Sequence, residues 1–467
     1  MAIKDITAYA HLSTEDVEEI GRRFDAIEAR HRETLGASDA AYIRNLIRTQ
    51  RGLDLLSRVA TVFAPALAGP ATATMGLAKI LENLEIGHNV MHGQWDWMND
   101  PEIHSSTWEW DNTGPSSGWK HSHNFSHHTF TNIIGMDNDI GYGVIRITRD
   151  KKWKPTTALQ PLTNVVLAAL FEYAVAFYDV ELGRYFTGRQ SWEDTKPRLM
   201  ETLRKVRSQV VKDYIAFPAV AALVGFALAG SSGRRNEKSL KGFLGRKRGV
   251  TDKRRRVKGL GASDKRRRVR GLGITVSQAR IDGAKRHAKK AAQAALVANL
   301  IRNVWAYAVI FCGHFPDDVE TFTKRTLEEE SKAEWYLRQM LGSANFRGGK
   351  VLTVLSGNLN YQIEHHLFPD MPSNRLGAIA REVSAIAREF GLPYNTASFP
   401  RQLWEVQRTI LKLTLPNRFL RAPRWNAPEV RADEVFERVP EVGASTGPRQ
   451  LALGLAKLKK LRPRVLA

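Results

Sequence analysis

The chain opens polar. In HLSTEDVEEIGRRFDAIEAR, Ser13 and Asp16 stand three apart at the head of an acidic turn, a capping box that starts a solvent-facing helix. Charge then drops out: residues 59–78 carry none, although Pro65, Gly69 and Pro70 interrupt them. The pattern predicts two short helices, about 52–68 and 71–87, turning at Gly69-Pro70. At about 1.5 Å per residue each is just long enough for a thin bilayer. Further apolar runs follow at 155–178, broken only by Glu172, at 214–233, uncharged between Asp213 and Arg234, and at 291–313, broken by Arg302. Beyond them SNRLGAIAREVSAIAREFG, residues 373–391, has the period of an amphipathic soluble helix closed by glycine. These runs predict an all-α integral membrane bundle of about four transmembrane helices under a helical cytoplasmic cap.

Composition changes this picture in three ways. The formal charge of +22 suits a nucleic-acid binder until it is located: residues 234–290 hold 22 Lys+Arg against 4 Asp+Glu, and the remainder is nearly balanced. Within that segment TDKRRRVKGLG recurs as SDKRRRVRGLG, a like-charged tandem repeat of the kind that repels itself and stays solvated. It reads as an insertion, with an anionic-lipid or nucleic-acid patch as the competing reading. The single cysteine, Cys312, excludes an internal disulfide, a four-thiolate zinc site and an iron–sulfur cluster within this chain, and reads as a small packed residue. The N-terminus has no secretory leader pattern. Trp95, Trp97, Trp108, Trp110 and Trp119 crowd one stretch, as in a membrane-surface belt, an acyl-pocket wall or plain core.

Histidine is the least evenly spread residue. Ten of the thirteen fall in GHNVMH (His88, His92), HSHNFSHH (His121, His123, His127, His128), CGHFP (His314), QIEHH (His365, His366) and nearby at His104. His88 and His92 share a helix face, as do His123 and His127, while His128 points about a quarter-turn away toward a second direction. Eight imidazoles in four segments suffice for two ions at about four nitrogens each. Gln362 is an optional oxygen ligand, and Glu85 an acceptor one turn before His88. Zinc in a structural or hydrolytic site needs fewer ligands; two irons could share oxygen chemistry, and copper or di-zinc remains open on spacing alone. A shared site places the second and third boxes on one side of the membrane. An even number of crossings must then separate them, so one of 155–178, 214–233 and 291–313 is not a span. Charge favours 291–313 as the interfacial one, because the basic segment then stays inside. Continuity of 291–313 into His314 favours 155–178.

GHNVMH, HNFSHH and NYQIEHH, in this order around hydrophobic segments, resemble the three histidine boxes of the membrane fatty-acid desaturase superfamily. AKILENLEIGHNVMHGQWDWMNDPEIHSSTWEWD, NLIRNVWAYAVIFCGHFPD and WYLRQMLGSANF resemble its actinobacterial stearoyl-CoA branch, over about 5–230 and 291–420. The resemblance implies a di-iron, oxygen-dependent enzyme that inserts a cis double bond, typically at the ninth carbon of a saturated long-chain acyl-CoA or acyl lipid. It places metal ligands at His88, His92, His123, His127, His128, His365 and His366, and an extra one at His314. Gln362 stands where many relatives have histidine. Glu364, Glu85 and His121 are supporting candidates, and no catalytic residue beyond the ligands is implied.

Lacking a haem string, a dinucleotide loop and a cysteine cluster, the chain needs an external electron donor, by resemblance an NADPH-dependent flavin/iron–sulfur oxidoreductase. The expected setting is a bacterial cytoplasmic membrane with the site facing the cytoplasm, lipids around it and no nucleic-acid partner. The expected layout is 1–50 as an N-terminal cytoplasmic segment, 51–233 and 291–420 as the membrane desaturase domain, 234–290 as the insertion and 421–467 as a basic tail. The competing functions are a membrane di-iron hydroxylase and a basic membrane-attached binding protein.

Overall fold

A computed structural model describes residues 6–137, 139–149, 151–229, 266–268, 275–328 and 330–420. The expected tail, and most of the basic repeat, lie outside the described residues.

The first helix, α1 (Thr14–Glu33), starts as expected: the Asp16 amide donates to Ser13 Oγ and the Ser13 amide to Asp16, while Arg30, His31 and Arg32 face the negative end of the dipole. Next, α2 (Ala37–Phe63) runs unbroken across the boundary drawn at residue 50. It ends earlier than expected. The break falls at Ala64, before the short 3₁₀ turn Pro65–Leu67, and α3 (Ala68–Ile80) carries Gly69 and Pro70 in its first turn. The cause is proline's position: Pro65 bars its predecessor from helical geometry, whereas Pro70 sits where an amide has no intrahelical partner anyway.

The run 155–178 is not one helix. After a 3₁₀ turn, α4 (Gln160–Ala169) and α5 (Phe171–Tyr178) meet at Leu170, and the two halves are bent by 97°. Asn303 donates to the freed carbonyl of Ala169 at 3.0 Å, and buried Arg302 pairs with buried Glu172, so the two charges that interrupt the apolar runs cancel each other. By contrast α6 (Trp192–Ala229) and α7 (Gln278–His314) are each long and apolar enough to cross a membrane. Of about four spans expected, these two qualify among the described residues, or three if the bent pair counts as one. The α2–α3 hairpin falls short because α2 carries Arg44, Arg48, Arg51, Asp54 and Arg58. Among the described residues the unbroken candidate spans between the second and third boxes are therefore α6 and α7, the even number a shared site requires. Helix α7 begins inside the segment read as insertion.

Helices α2, α3, α6 and α7 pack through small residues, with Ala294, Ala295 and Ala298 against Met75, Phe217 and Ala221. Their outer faces stay apolar and exposed: Leu55, Leu56 and Phe63 on α2, Ile215 and Leu223 on α6, Leu296 and Leu300 on α7. An exposed apolar exterior of this kind suits a membrane surface. The cap forms from α1, α8 (Lys332–Leu341), α9 (Gln362–Leu367) and α10 (Ser373–Glu389) around Phe24, Leu337, Ile363, Leu376 and Val383. Gly391 closes α10 with φ +64, as the sequence predicts. A short parallel pair, Asn345–Arg347 with Thr396–Ser398, ties the cap to the amphipathic α11 (Phe399–Lys412).

Candidate metal centre

The first box begins at the end of one π-helical turn, Leu81–His88, and most of the second lies on another, Lys120–His127, with His92 and His128 just beyond; there a widened backbone re-aims side chains at a functional site. The turn bearing His88 is pressed against the chain ahead of the third box: Gly357, at φ +73, has no room for a side chain, because a Cβ would lie 2.8 Å from the Leu84 carbonyl. His314 terminates α7, and the preceding Gly313 leaves space for Gln362, whose side chain a Cβ there would meet at 3.0 Å.

These elements bring eight histidines from four segments into one buried volume. His88, His92, His123 and His365 offer nitrogens within 4.8 Å of one another, and so do His127, His314 and His366. His88 Nε2 is 3.3 Å from His365 Nε2, and His127 Nε2 is 3.3 Å from His366 Nε2. His128 belongs to neither group alone: its ring stacks on His366 at 4.4 Å and meets His92 edge-on at 4.7 Å. The buried nitrogens His92 Nε2, His123 Nε2 and both of His128 have no hydrogen-bond partner. Buried polar atoms are ordinarily satisfied. Nitrogens 3.3 Å apart also match the spacing that ligation at about 2.0–2.1 Å to a common ion gives. The donor set thus fits two neighbouring metal ions, one for each group, with His128 between them.

The surroundings keep the imidazoles neutral. Burial, reinforced by neighbouring histidines, holds His123, His128, His365 and His366 well below the ordinary histidine range. His127 is the exception: burial pulls it down, but Asp137 and Asp139 outweigh that and raise it. Their contacts also fix ring orientation. His127 Nδ1 lies 3.0 Å from Asp137, His123 Nδ1 lies 3.0 Å from Asp139, and His366 Nδ1 lies 3.0 Å from Gln339 Oε1. These three supports were missed from sequence. The signal available was the acidic pair in GMDNDI, but the chain must fold back at Asn132, φ +57, before either carboxylate reaches the box.

The supporting candidates named from sequence fare differently. Gln362 sits at the site, its Nε2 3.1 Å from His314 Nε2 and its Oε1 unpartnered. Glu85 does not support His88. It accepts from Tyr42 at 2.6 Å, Ser373 at 2.7 Å and Asn358 at 3.0 Å, joining α2 and the π-turn to the cap. Glu364 likewise accepts from Asn345 and Tyr394, both at 2.8 Å, and braces α9 instead of facing the histidines. His121 is exposed and stacks on Phe125, and His104 is held by Ser106, so neither joins the cluster. Of the tryptophans, Trp95, Trp110 and Trp119 are buried and Trp119 stacks on His123 at 4.5 Å, whereas Trp97 is exposed. Cys312 is buried and free, with Phe399 O 4.0 Å from its sulfur.

An all-α membrane-capable bundle whose cap closes over two histidine groups defines a class, and comparison agrees. The family described as fatty acid desaturase matches residues 62–233 and 273–398. The chain belongs to that family. It is 44% identical over 444 residues to the NADPH-dependent stearoyl-CoA 9-desaturase of Mycobacterium tuberculosis, spanning 93% of this chain and 89% of that one. More local likeness extends to the Delta(5) fatty acid desaturase fat-4 of Caenorhabditis elegans, 33% identical over 109 residues and 23% of each chain, and to fatty acid desaturase 3 of Bos taurus, 27% over 117 residues and 25% of each. No solved structure matches the chain.

Proposed function

We propose that this chain is an oxygen-dependent, di-iron acyl-CoA desaturase that introduces a cis double bond at the ninth carbon of a saturated long-chain acyl group. The convergence of eight buried histidines, seven in two adjacent sets and His128 between them, carries the chemistry. The substrate class rests on the likeness, over nearly the whole chain, to a relative named as a stearoyl-CoA 9-desaturase. His88, His92, His123 and His365 would hold one iron; His127, His314 and His366, with Gln362 beside His314, would hold the other; His128 stands between. A di-iron pair supplies the reductive activation of dioxygen that an unactivated methylene requires.

The chain's own residues then do four things. Asp137, Asp139 and Gln339 fix the rings of His127, His123 and His366 so that the opposite nitrogens face inward. Burial keeps the imidazoles other than His127 unprotonated and therefore able to ligate. Glu85 binds the π-turn to the cap and Glu364 braces α9 within it, holding boxes far apart in sequence at fixed separation. Trp119, stacked on His123, walls the centre on one side. Electrons come from a separate NADPH-dependent flavin/iron–sulfur oxidoreductase, and the working arrangement is a bacterial cytoplasmic membrane with the site facing inward.

Expression in a host unable to make unsaturated fatty acids, with product analysis by mass spectrometry, tests the reading: a monounsaturated acid is expected, and a hydroxylated chain without alkene points to a hydroxylase instead. Purified protein should carry about two irons per chain. His127→Ala or His365→Ala should lower that content and abolish turnover. Stoichiometric zinc with full turnover would rule out the di-iron assignment.

A further inference from the structure

Desaturation by dioxygen removes two hydrogen atoms from the acyl chain and takes two electrons and two protons from outside, so that both oxygens leave as water. The electrons have a donor class. The protons must reach an enclosed centre, and the histidines that line it are neutral ligands, unsuited to carrying them.

One cavity touches the histidine site, bounded by His88 and His123 and walled by Trp110, Trp119 and Phe171. A carboxyl lines it that neither histidine group uses. Asp179 is 5% exposed; one oxygen accepts from Ser122 Oγ at 2.7 Å, and the other, Oδ2, has no hydrogen-bond partner. A carboxyl in such a wall costs desolvation that an apolar residue would avoid. Burial is the largest influence on it. Ser122 pulls its pKa down, Asp139 and Glu181 push it up, Arg198 opposes them, and the balance is a rise to about 8. Tyr142 and Tyr178, close enough to sense its charge, stay un-ionised themselves. Two residues on, Glu181 is held by Arg184 at 3.0 Å and Arg198 at 2.9 Å, and both arginines reach solvent.

We propose that Asp179 is a proton-relay residue, taking protons from solvent on the side where Glu181 and Arg198 pair and passing them through the cavity to the oxygen reduced beside His88 and His123. This rests on the desaturase reading. Each turnover draws two protons through Asp179, which is reprotonated from solvent after each transfer, while dioxygen is the oxidant and the external donor supplies the two electrons.

The test compares the full-length protein in lipid with Asp179→Asn and Asp179→Glu. Asp179→Asn should keep its metal content yet turn over roughly a hundredfold more slowly. The wild-type rate should fall above about pH 8 with a solvent deuterium isotope effect, and Asp179→Glu should recover part of the rate with the alkaline limb displaced. Wild-type turnover and pH profile in Asp179→Asn, or loss of bound metal there, would overturn the relay. If that variant fails to fold, an undisplaced alkaline limb in Asp179→Glu overturns it equally. Infrared titration of the carboxyl in ¹³C-aspartate-labelled protein reads the proton without turnover; a wild-type band absent near pH 8 is also decisive against it. A wild-type chain that forms no alkene sinks the desaturase reading itself, and the infrared result separates that failure from this one.

Discussion

A single carboxylate shows how much of the centre rests on residues outside the histidine boxes. Asp137 is fully buried, lies 3.0 Å from His127 Nδ1, and is itself fixed by the Asn132 and Asp139 amides at 2.7 and 2.8 Å. Asp137→Ala should therefore leave the histidine in place but free to rotate and less basic. The expected loss is roughly 10- to 100-fold in metal affinity or activity, measured by metal competition with a chelator. An unchanged affinity would show that packing alone orients the ring. The eight ligand candidates were legible in the sequence because His88 and His92, and His123 and His127, stand four apart on a helix, and because His128, His314, His365 and His366 cluster in short strings. Their supports were not. Asp137 and Gln339 meet the boxes only after the chain has turned back, and Glu85 and Glu364, neighbours of ligands in sequence, are taken up instead by Tyr42 and Ser373 and by Asn345 and Tyr394.

Among the elements, helix type was legible and helix breaks were not. Hydropathy registers the composition of 155–178 but not its direction, and a bend of 97° leaves composition untouched. What holds the bend is tertiary: Asn303 on the Ala169 carbonyl and Arg302 against Glu172, both supplied by α7. With side chains 2% and 5% exposed, this ion pair is costly to split. Arg302→Met alone or Glu172→Leu alone should each destabilise the protein by about 3 kcal/mol, because each strands a buried charge, whereas the double variant should return most of the loss. Thermal unfolding in a fixed detergent checks this, and additive losses in the double variant would show that the two charges do not act as a pair.

At the scale of the molecule, the family match leaves out most of the basic segment. The family match stops at residue 233 and resumes at 273. Histidine ligation uses nothing between them. Joining the flanking residues by a short flexible linker in place of 234–272 should leave iron content and desaturation within about twofold of the intact chain. Abolished turnover with intact folding would instead favour a binding role for the repeat. The deletion also tests topology, because α6 and α7 must still pair through Phe217, Ala221, Ala294 and Ala298.

By itself the sequence determined that this protein is helical, that it carries membrane-capable helices and that eight of its histidines belong together, because periodicity, hydropathy and ligand spacing are local properties that folding does not alter. Only the tertiary structure decided that the histidines sort into two groups with His128 between them. The same structure set the bend in 155–178 and left Asp179 with an unpartnered oxygen against their cavity. Those outcomes depend on distances between residues up to hundreds of positions apart, such as His88 and His365, which packing sets and no local pattern encodes.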